Sequence, residues 1–387
     1  MSGWLTREEA LATLSVRPQT LYAYVSRGLI LRRADPDDPR RSLYKQADVA
    51  GLRAKRDRGK RASSIAASTI SWGEPIISTA ISTVAGERLY YRGHDVVQLA
   101  EGASLEETAQ ILWSASRAPV FDTAPQSASP AAPCEAPRRL LLFDRLAGAA
   151  ALGPATLNRA PAIIVNEAQG LIALVAQAIG AQASGTTPLH ERLAAGWGLH
   201  PSEADLLRRA LVLRADQELN TSTFATRVAA STGAGLASCL LAGLAALSGP
   251  LHGDAADQIQ AVMDEAKRTS VTRTIARYRE SAREIPGFGH RLYPDGDPRA
   301  IALLANFPMP RRHRAVADEV RRTMGLAPNL DFAVAGLAAH LALPVDAPFC
   351  LFVMARSVGW IAHVMEQVAQ PGLIRPRARY EGPALGR

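Results

Sequence analysis

The chain has 387 residues, 48% hydrophobic and 5% aromatic, with a formal net charge of +8 at pH 7. That length exceeds one hydrophobic core and predicts two or three domains, and the apolar content excludes a disordered chain. The three widely spaced cysteines, Cys134, Cys239 and Cys350, suit neither a disulfide framework nor a metal site; with no signal pattern and no membrane-length apolar run free of charge or glycine, the expectation is a cytoplasmic protein.

The charge is concentrated at the start. Residues 1–61 hold fourteen Lys and Arg against seven acids, which accounts for +7 of the +8 and marks a separate module with its own partner. Thr6 and Glu9 have capping-box spacing for a short helix through Leu14. Pro18 then opens a second helix that Gly28 can close. Leu29–Arg33 and Ser42–Lys45 read as strands around a turn at Asp35–Pro39, and Ala47–Lys60 as a helix ending in a basic run. This order resembles the winged helix-turn-helix of MerR and excisionase-type proteins. The resemblance implies DNA contacts from Gln19, Thr20, Tyr24 and Arg27 on the second helix and from Arg40 and Arg41 on the wing. A protein-docking role suits the same basic module.

A linker is expected over residues 62–75. Ser104 and Glu107 read as a second capping box for a helix ending at Trp113, and the Ala/Pro/Ser-rich Pro119–Pro137 as a loop. From Arg138 to Ser248, Ala/Leu-rich helical stretches alternate with Gly/Pro breaks, and Val228–Leu251 reads as a buried helix.

Three segments carry the chemistry. Gly249–Gly253 (Gly-Pro-Leu-His-Gly), Gly287–Arg291 (Gly-Phe-Gly-His-Arg) and Pro328–Phe332 (Pro-Asn-Leu-Asp-Phe) each set one proton-handling side chain among small or apolar neighbours. His252 and His290 supply two hydrogen-bond donors and Asp331 a base, the set needed to enolise a thioester and join it to a carbonyl. Asp331 also fits an N-cap before an apolar helix. His252 precedes the amphipathic stretch Ala255–Lys267, whose N-terminus disfavours imidazolium.

These segments, with Ala215–Phe224, Asp297-Pro298-Arg299, Ala355–Trp360 and Arg375-Pro376-Arg377, resemble the citrate synthase family over roughly Ile76–Tyr380. The resemblance implies a mainly α, two-domain helical fold, with a short β-hairpin and Tyr-Arg-Gly segment over Ile76–Ile81 and Gly86–Asp95, a large domain of residues 76–251 and 331–387, a small domain of 252–330, and a homodimer. His252 would hydrogen-bond the thioester oxygen of acetyl-CoA while Asp331 takes a methyl proton, and His290 would polarise and protonate the keto oxygen of oxaloacetate. Gln217, Arg299, Arg356 and Arg375 would bind the keto acid; Gly287, Gly289 and Arg291 would meet coenzyme A. No bound cofactor or metal is implied. Arg356 lies in the apolar run Phe349–Val364, where a buried anionic partner is expected.

Three positions depart from the family pattern. Gln217 stands where His is usual, so it can donate a hydrogen bond but carry no charge. Asp254 replaces a common Gly and suits an N-cap, and Pro294 replaces a frequent Lys. Propionyl-CoA, as in 2-methylcitrate synthase, is the alternative acyl donor, since one methylene is worth only about 1–3 kcal/mol. A metabolite-responsive DNA-binding regulator is the alternative from another class.

Overall fold

A computed structural model describes the chain except residues 1–2, 17, 27–28, 37, 54–76, 123–135, 183–186, 254, 282, 371, 379, 381 and 384–387. It divides into two compact units, Met1–Ser78 and Thr79–Arg387.

In the first unit the capping box forms as its spacing predicts. The Glu9 carboxylate accepts from the Thr6 N–H at 2.8 Å, Thr6 Oγ1 accepts from the Glu9 N–H at 3.3 Å, and helix Arg7–Leu14 follows. Helix Pro18–Ser26 starts at its proline. Strands Arg32–Ala34 and Ser42–Lys45 pair antiparallel, but the first begins three residues later than expected, because Leu29 and Ile30 bend to bury Ile30 in the core. Trp4–Leu5 adds an unforeseen third strand on the other edge of Ser42–Lys45. Two residues are too short a run to show alternation in the sequence. Ala10, Leu14, Leu21, Ile30, Tyr44 and Val49 form the core. Residues 46–53 are helical; the rest of that helix, the Gly28 cap and the linker lie outside the described residues.

The second unit is mainly helical. A small antiparallel sheet, Ser82–Ala85, Arg88–Tyr91 and His94–Asp95, precedes the helices. The second capping box, Ser104 with Glu107, starts helix Leu105–Trp113. The stretch Val228–Leu251 is not one helix. Thr221–Ser231 and Leu236–Leu247 are separate, broken at Gly233, whose φ of 80° a right-handed helix excludes.

Two helices, Pro161–Ala178 and Ala347–Ala369, are long and apolar enough to cross a membrane by length and composition. The second is buried over 89% of its apolar window and forms the axis of the main core. Its Gly359 permits the closest approach: an added Cβ would lie 2.4 Å from the Ala215 carbonyl and 2.5 Å from Asp216 Oδ1. A separate apolar cluster joins helices Ala255–Arg268, Val271–Glu280 and Arg311–Met324 through Ile259, Met263, Ile275, Val316 and Val320, with Phe288 and Phe332 at its edge.

Candidate active site

Two of the three motifs are joined through their backbones. Phe288 and Pro328 form an antiparallel bridge, the Asn329 N–H donates to the Gly287 carbonyl at 2.9 Å, and the Gly289 N–H donates to Ala327 O at 2.9 Å. Gly287 has φ 85°, and a Cβ there would lie 2.9 Å from Ile259 Cδ1 and 3.0 Å from Phe332 Cβ. This bridge couples the segments bearing His290 and Asp331 despite forty-one residues of separation.

Asp331 is not the helix cap. Asn329 caps helix Leu330–His340, its Oδ1 accepting from the Asp331 N–H at 3.0 Å and the Phe332 N–H at 3.3 Å. The Asp331 carboxylate is thereby left for other partners. It pairs with Arg214, Nη2 to Oδ1 at 2.7 Å, and its side chain keeps 31% exposure.

His252 sits in the tight turn before helix Ala255–Arg268. Burial, reinforced by the Arg356 charge, lowers its pKa to about 4 against the opposing pull of Asp331. The ring is therefore neutral, by desolvation and a neighbouring cation. Its Nε2 lies 2.9 Å from Ser222 Oγ, which donates to Asn220 Oδ1 at 2.9 Å and accepts from Trp360 Nε1 at 3.3 Å. Turning the Ser222 proton from Asn220 to Nε2 would place the ring's own proton on Nδ1, where it could be donated to a ligand. Asp254, read as a cap for the following helix, lies outside the described residues.

His290 is surrounded by donors. Its Nδ1 accepts from the Leu292 N–H at 3.1 Å, while its Nε2 is 3.1 Å from Gln217 Nε2. Arg299 Nη1 donates to Gln217 Oε1 at 2.6 Å, and since arginine only donates, the Gln217 amide must turn its NH₂ toward His290. A neutral imidazole can accept at one nitrogen only, so this point lacks an acceptor. Burial, then the Arg299 charge, holds the His290 pKa below its ordinary value. An acceptor-rich ligand such as a keto acid would relieve the mismatch.

The arginines differ in their pairing. Arg299 is 3% exposed and gripped by Asp297 at 2.9 and 2.8 Å; burial opposes its charge, but Asp297 outweighs it and raises the pKa. Asp297 also accepts from the Leu330 N–H at 3.0 Å, tying Arg299 to the helix of Asp331. Arg356 has no carboxylate ion pair among the described residues, so the buried anionic partner expected of it would have to be a ligand. Its Nε donates to the Arg214 carbonyl at 3.2 Å, its Nη1 is buried without a partner, and burial lowers its pKa to about 10 despite the nearby Asp216. It is a desolvated cation awaiting an anion.

Gln217 is held by its neighbours. Asp216, wholly buried, accepts from Ser82 Oγ at 2.5 Å and lies 3.2 Å from His363 Nε2, while Ser82 Oγ accepts from the Glu218 N–H at 2.9 Å. The hairpin thus pins the turn that presents Gln217. Sequence reasoning missed Arg214, Ser222 and Asp297. Arg214 ends the apolar run Ala210–Leu213, the same signal that singled out Arg356.

Some expected residues are not gathered here. Arg375 is exposed on the C-terminal segment and makes no hydrogen bond to the others, and Arg291 is exposed. In the first unit Gln19, Arg40 and Arg41 are exposed and Thr20 is partly so; Arg41 pairs with Asp38 at 3.3 Å. Tyr24 packs against the module's core, and Arg27 lies outside the described residues.

Residues 155–377 match the pattern of the citrate synthase C-terminal domain. Citrate synthase 2 of Bacillus subtilis is 30% identical over 357 residues, spanning 80% of this chain and 95% of the relative. A 2-methylcitrate synthase of Corynebacterium glutamicum is 36% identical over 197 residues, 47% of this chain and 51% of that one. Among solved structures, citrate synthase from Thermotoga maritima superposes with a TM-score of 0.68 at 28% identity, covering 81% of this chain and 96% of the other. A citrate synthase of Thermoplasma acidophilum, in ternary complex with carboxymethyl coenzyme A and oxaloacetate, gives 0.67 at 25% identity, with 81% and 95% covered. With the family pattern over more than half of the chain and near-complete coverage of a relative, this chain belongs to the citrate synthase family.

Proposed function

We propose that this enzyme condenses an acyl-CoA with oxaloacetate, acetyl-CoA being the first candidate, and hydrolyses the product thioester to a citrate and free coenzyme A. One observation carries the reading: two neutral imidazoles, a carboxylate that influences both, and a buried arginine without an anion converge in one site. Asp331 removes a proton from the carbon beside the thioester carbonyl. The C–H electrons form the enolate, whose oxygen accepts from His252. That carbon bonds to the keto carbon of oxaloacetate while the keto oxygen, held by His290, gains a proton. Water then adds to the thioester, and coenzyme A leaves as the thiol. Gln217, Arg299 and Arg356 bind the keto acid, with bidentate guanidinium contacts to carboxylate the natural mode.

A large domain of residues 76–251 and 331–387 and a small one of 252–330 are proposed, with a water-excluding cleft between them. The separate apolar cluster of the small region supports this division. Arg291, with Gly287 and Gly289, is proposed to meet coenzyme A, and Arg375 to complete the keto-acid site. A homodimer in the cytoplasm is the proposed state. The test of the reading is thiol release by the purified protein with oxaloacetate and a panel of acyl-CoAs; no release with any of them would remove it, and a preference for propionyl-CoA would make it a 2-methylcitrate synthase.

Gln217→His is expected to lower the KM for oxaloacetate, because an imidazole can carry the charge that an amide cannot. Loss of activity on the best native substrate would instead mean a pocket built around Gln217 for another keto acid.

A second reading concerns the first unit, which we propose is a winged helix-turn-helix that binds DNA. The +7 charge of residues 1–61 and the exposed Gln19, Arg40 and Arg41 support this. Duplex affinity should fall steeply with salt as condensed counterions are released. Removing residues 1–61 should abolish duplex binding and spare condensation. Charge reversal at Arg40 and Arg41 should weaken all duplexes alike, whereas changes at Gln19 or Thr20 should alter sequence preference. Absence of salt-dependent binding by the full-length protein would favour a docking role.

A further inference from the structure

The Arg214–Asp331 pair stands apart from the keto-acid contacts. Arg214 closes helix Ala204–Arg214 and is 4% exposed, its guanidinium is restrained from two sides, and its carbonyl holds Arg356. Nη2 donates to Asp331 Oδ1 at 2.7 Å, the planar group lies over the Phe352 ring at 4.3 Å, and the Arg214 carbonyl accepts from Arg356 Nε at 3.2 Å. Phe352 also meets the edge of His252, centroids 5.7 Å apart, and the face of Arg356 at 5.1 Å. One aromatic ring thus sets the spacing between the cation on the base, the imidazole proposed for the thioester oxygen and the arginine proposed for the keto acid.

The backbone of Asp331 is fixed by the Asn329 cap and by the Leu330–Asp297 contact, which leaves rotation of the carboxylate as its main freedom. Arg214 removes that freedom by holding Oδ1, and Oδ2 has no hydrogen-bond partner among the described residues. Asparagine and backbone groups around Asp331 could not do this, since they already serve the helix start. We infer that Arg214 is a positioning residue for the enolisation step, clamping Oδ1 of Asp331 so that Oδ2 faces the acyl carbon. This rests on the reading of Asp331 as the base. A displacement of about 1 Å in a reacting group can cost on the order of 100-fold in rate, which sets the scale of the effect.

The experiment compares the wild type with Arg214→Lys and Arg214→Met. Condensation is followed by thiol release, and enolisation separately by exchange of the acyl α-protons with D₂O in the presence of malate, which carries the carboxylates of the keto acid but no carbonyl to attack. Thermal midpoints report folding. Arg214→Met should reduce both proton exchange and kcat by about 10- to 100-fold with the KM for oxaloacetate changed less than threefold, and Arg214→Lys, which keeps a charge and one donor, should recover part of both. A wild-type exchange rate in Arg214→Met overturns the inference. So does a loss confined to the oxaloacetate KM, or a fall in exchange that tracks the thermal midpoint in both variants, because each describes a residue that supports the fold or the other substrate. A wild-type protein inactive in thiol release and in exchange overturns the functional reading itself, whereas an active wild type beside unaffected variants removes Arg214 alone.

Discussion

Asp331→Asn is expected to lower condensation by roughly 10²–10⁴-fold while oxaloacetate still binds, because the amide keeps the shape of the carboxylate but cannot take a proton. Its own side chain does not cap the helix, a task that falls to Asn329, so the substitution leaves the start of helix Leu330–His340 intact. The amide oxygen can still accept from Arg214 in place of Oδ1. Binding of oxaloacetate by calorimetry, beside thiol release, separates the two effects. Turnover within threefold of the wild type would remove Asp331 from the chemistry and the enolisation scheme with it.

Arg356→Met is expected to act in opposite directions on function and stability. Each hydrogen bond from a charged donor is worth about 1.5–3 kcal/mol, so losing a bidentate grip on the keto acid should weaken its binding roughly 10²–10⁴-fold. The free protein should be no less stable. Arg356 is buried with Nη1 unpartnered, and a cation compensated only in part, by Asp216 and the Arg214 carbonyl, costs more in an apolar core than a methionine of similar length. Asp216 would lose a neighbouring charge but keep Ser82 and His363. The comparison is between the thermal midpoint without ligand and the KM for oxaloacetate. A midpoint lowered by many degrees would mean that Arg356 is a structural cation of the core, and unchanged keto-acid binding would take it out of the site.

The local parts of the fold were legible because they depend on contacts a few residues apart. Thr6 with Glu9 and Ser104 with Glu107 satisfy the free N–H groups of their own helix starts, and Pro18 opens a helix whichever core it later joins. Reading Val228–Leu251 as one helix failed for the complementary reason: its apolar run is continuous, but the left-handed turn at Gly233 breaks the hydrogen-bond ladder. Strand Trp4–Leu5 was invisible, since it exists only by pairing with Ser42–Lys45 some forty residues away.

The sequence by itself determined the chemistry available at the site: two imidazoles and a carboxylate in small or apolar surroundings, a Gln at position 217, and an arginine inside an apolar helix. It also determined that a basic module precedes a long helical core. Tertiary structure decided what each of those groups experiences. Burial and the Arg356 charge keep His252 neutral; Asn329 frees Asp331 from capping; Arg299 turns the Gln217 amide so that donors face His290 from both sides. Arg214 joined the site only through its distance to Asp331, 117 residues away along the chain. The physical reason is range: capping and turn chemistry act over three or four residues, whereas desolvation and ion pairing depend on which distant segments the packed core brings together.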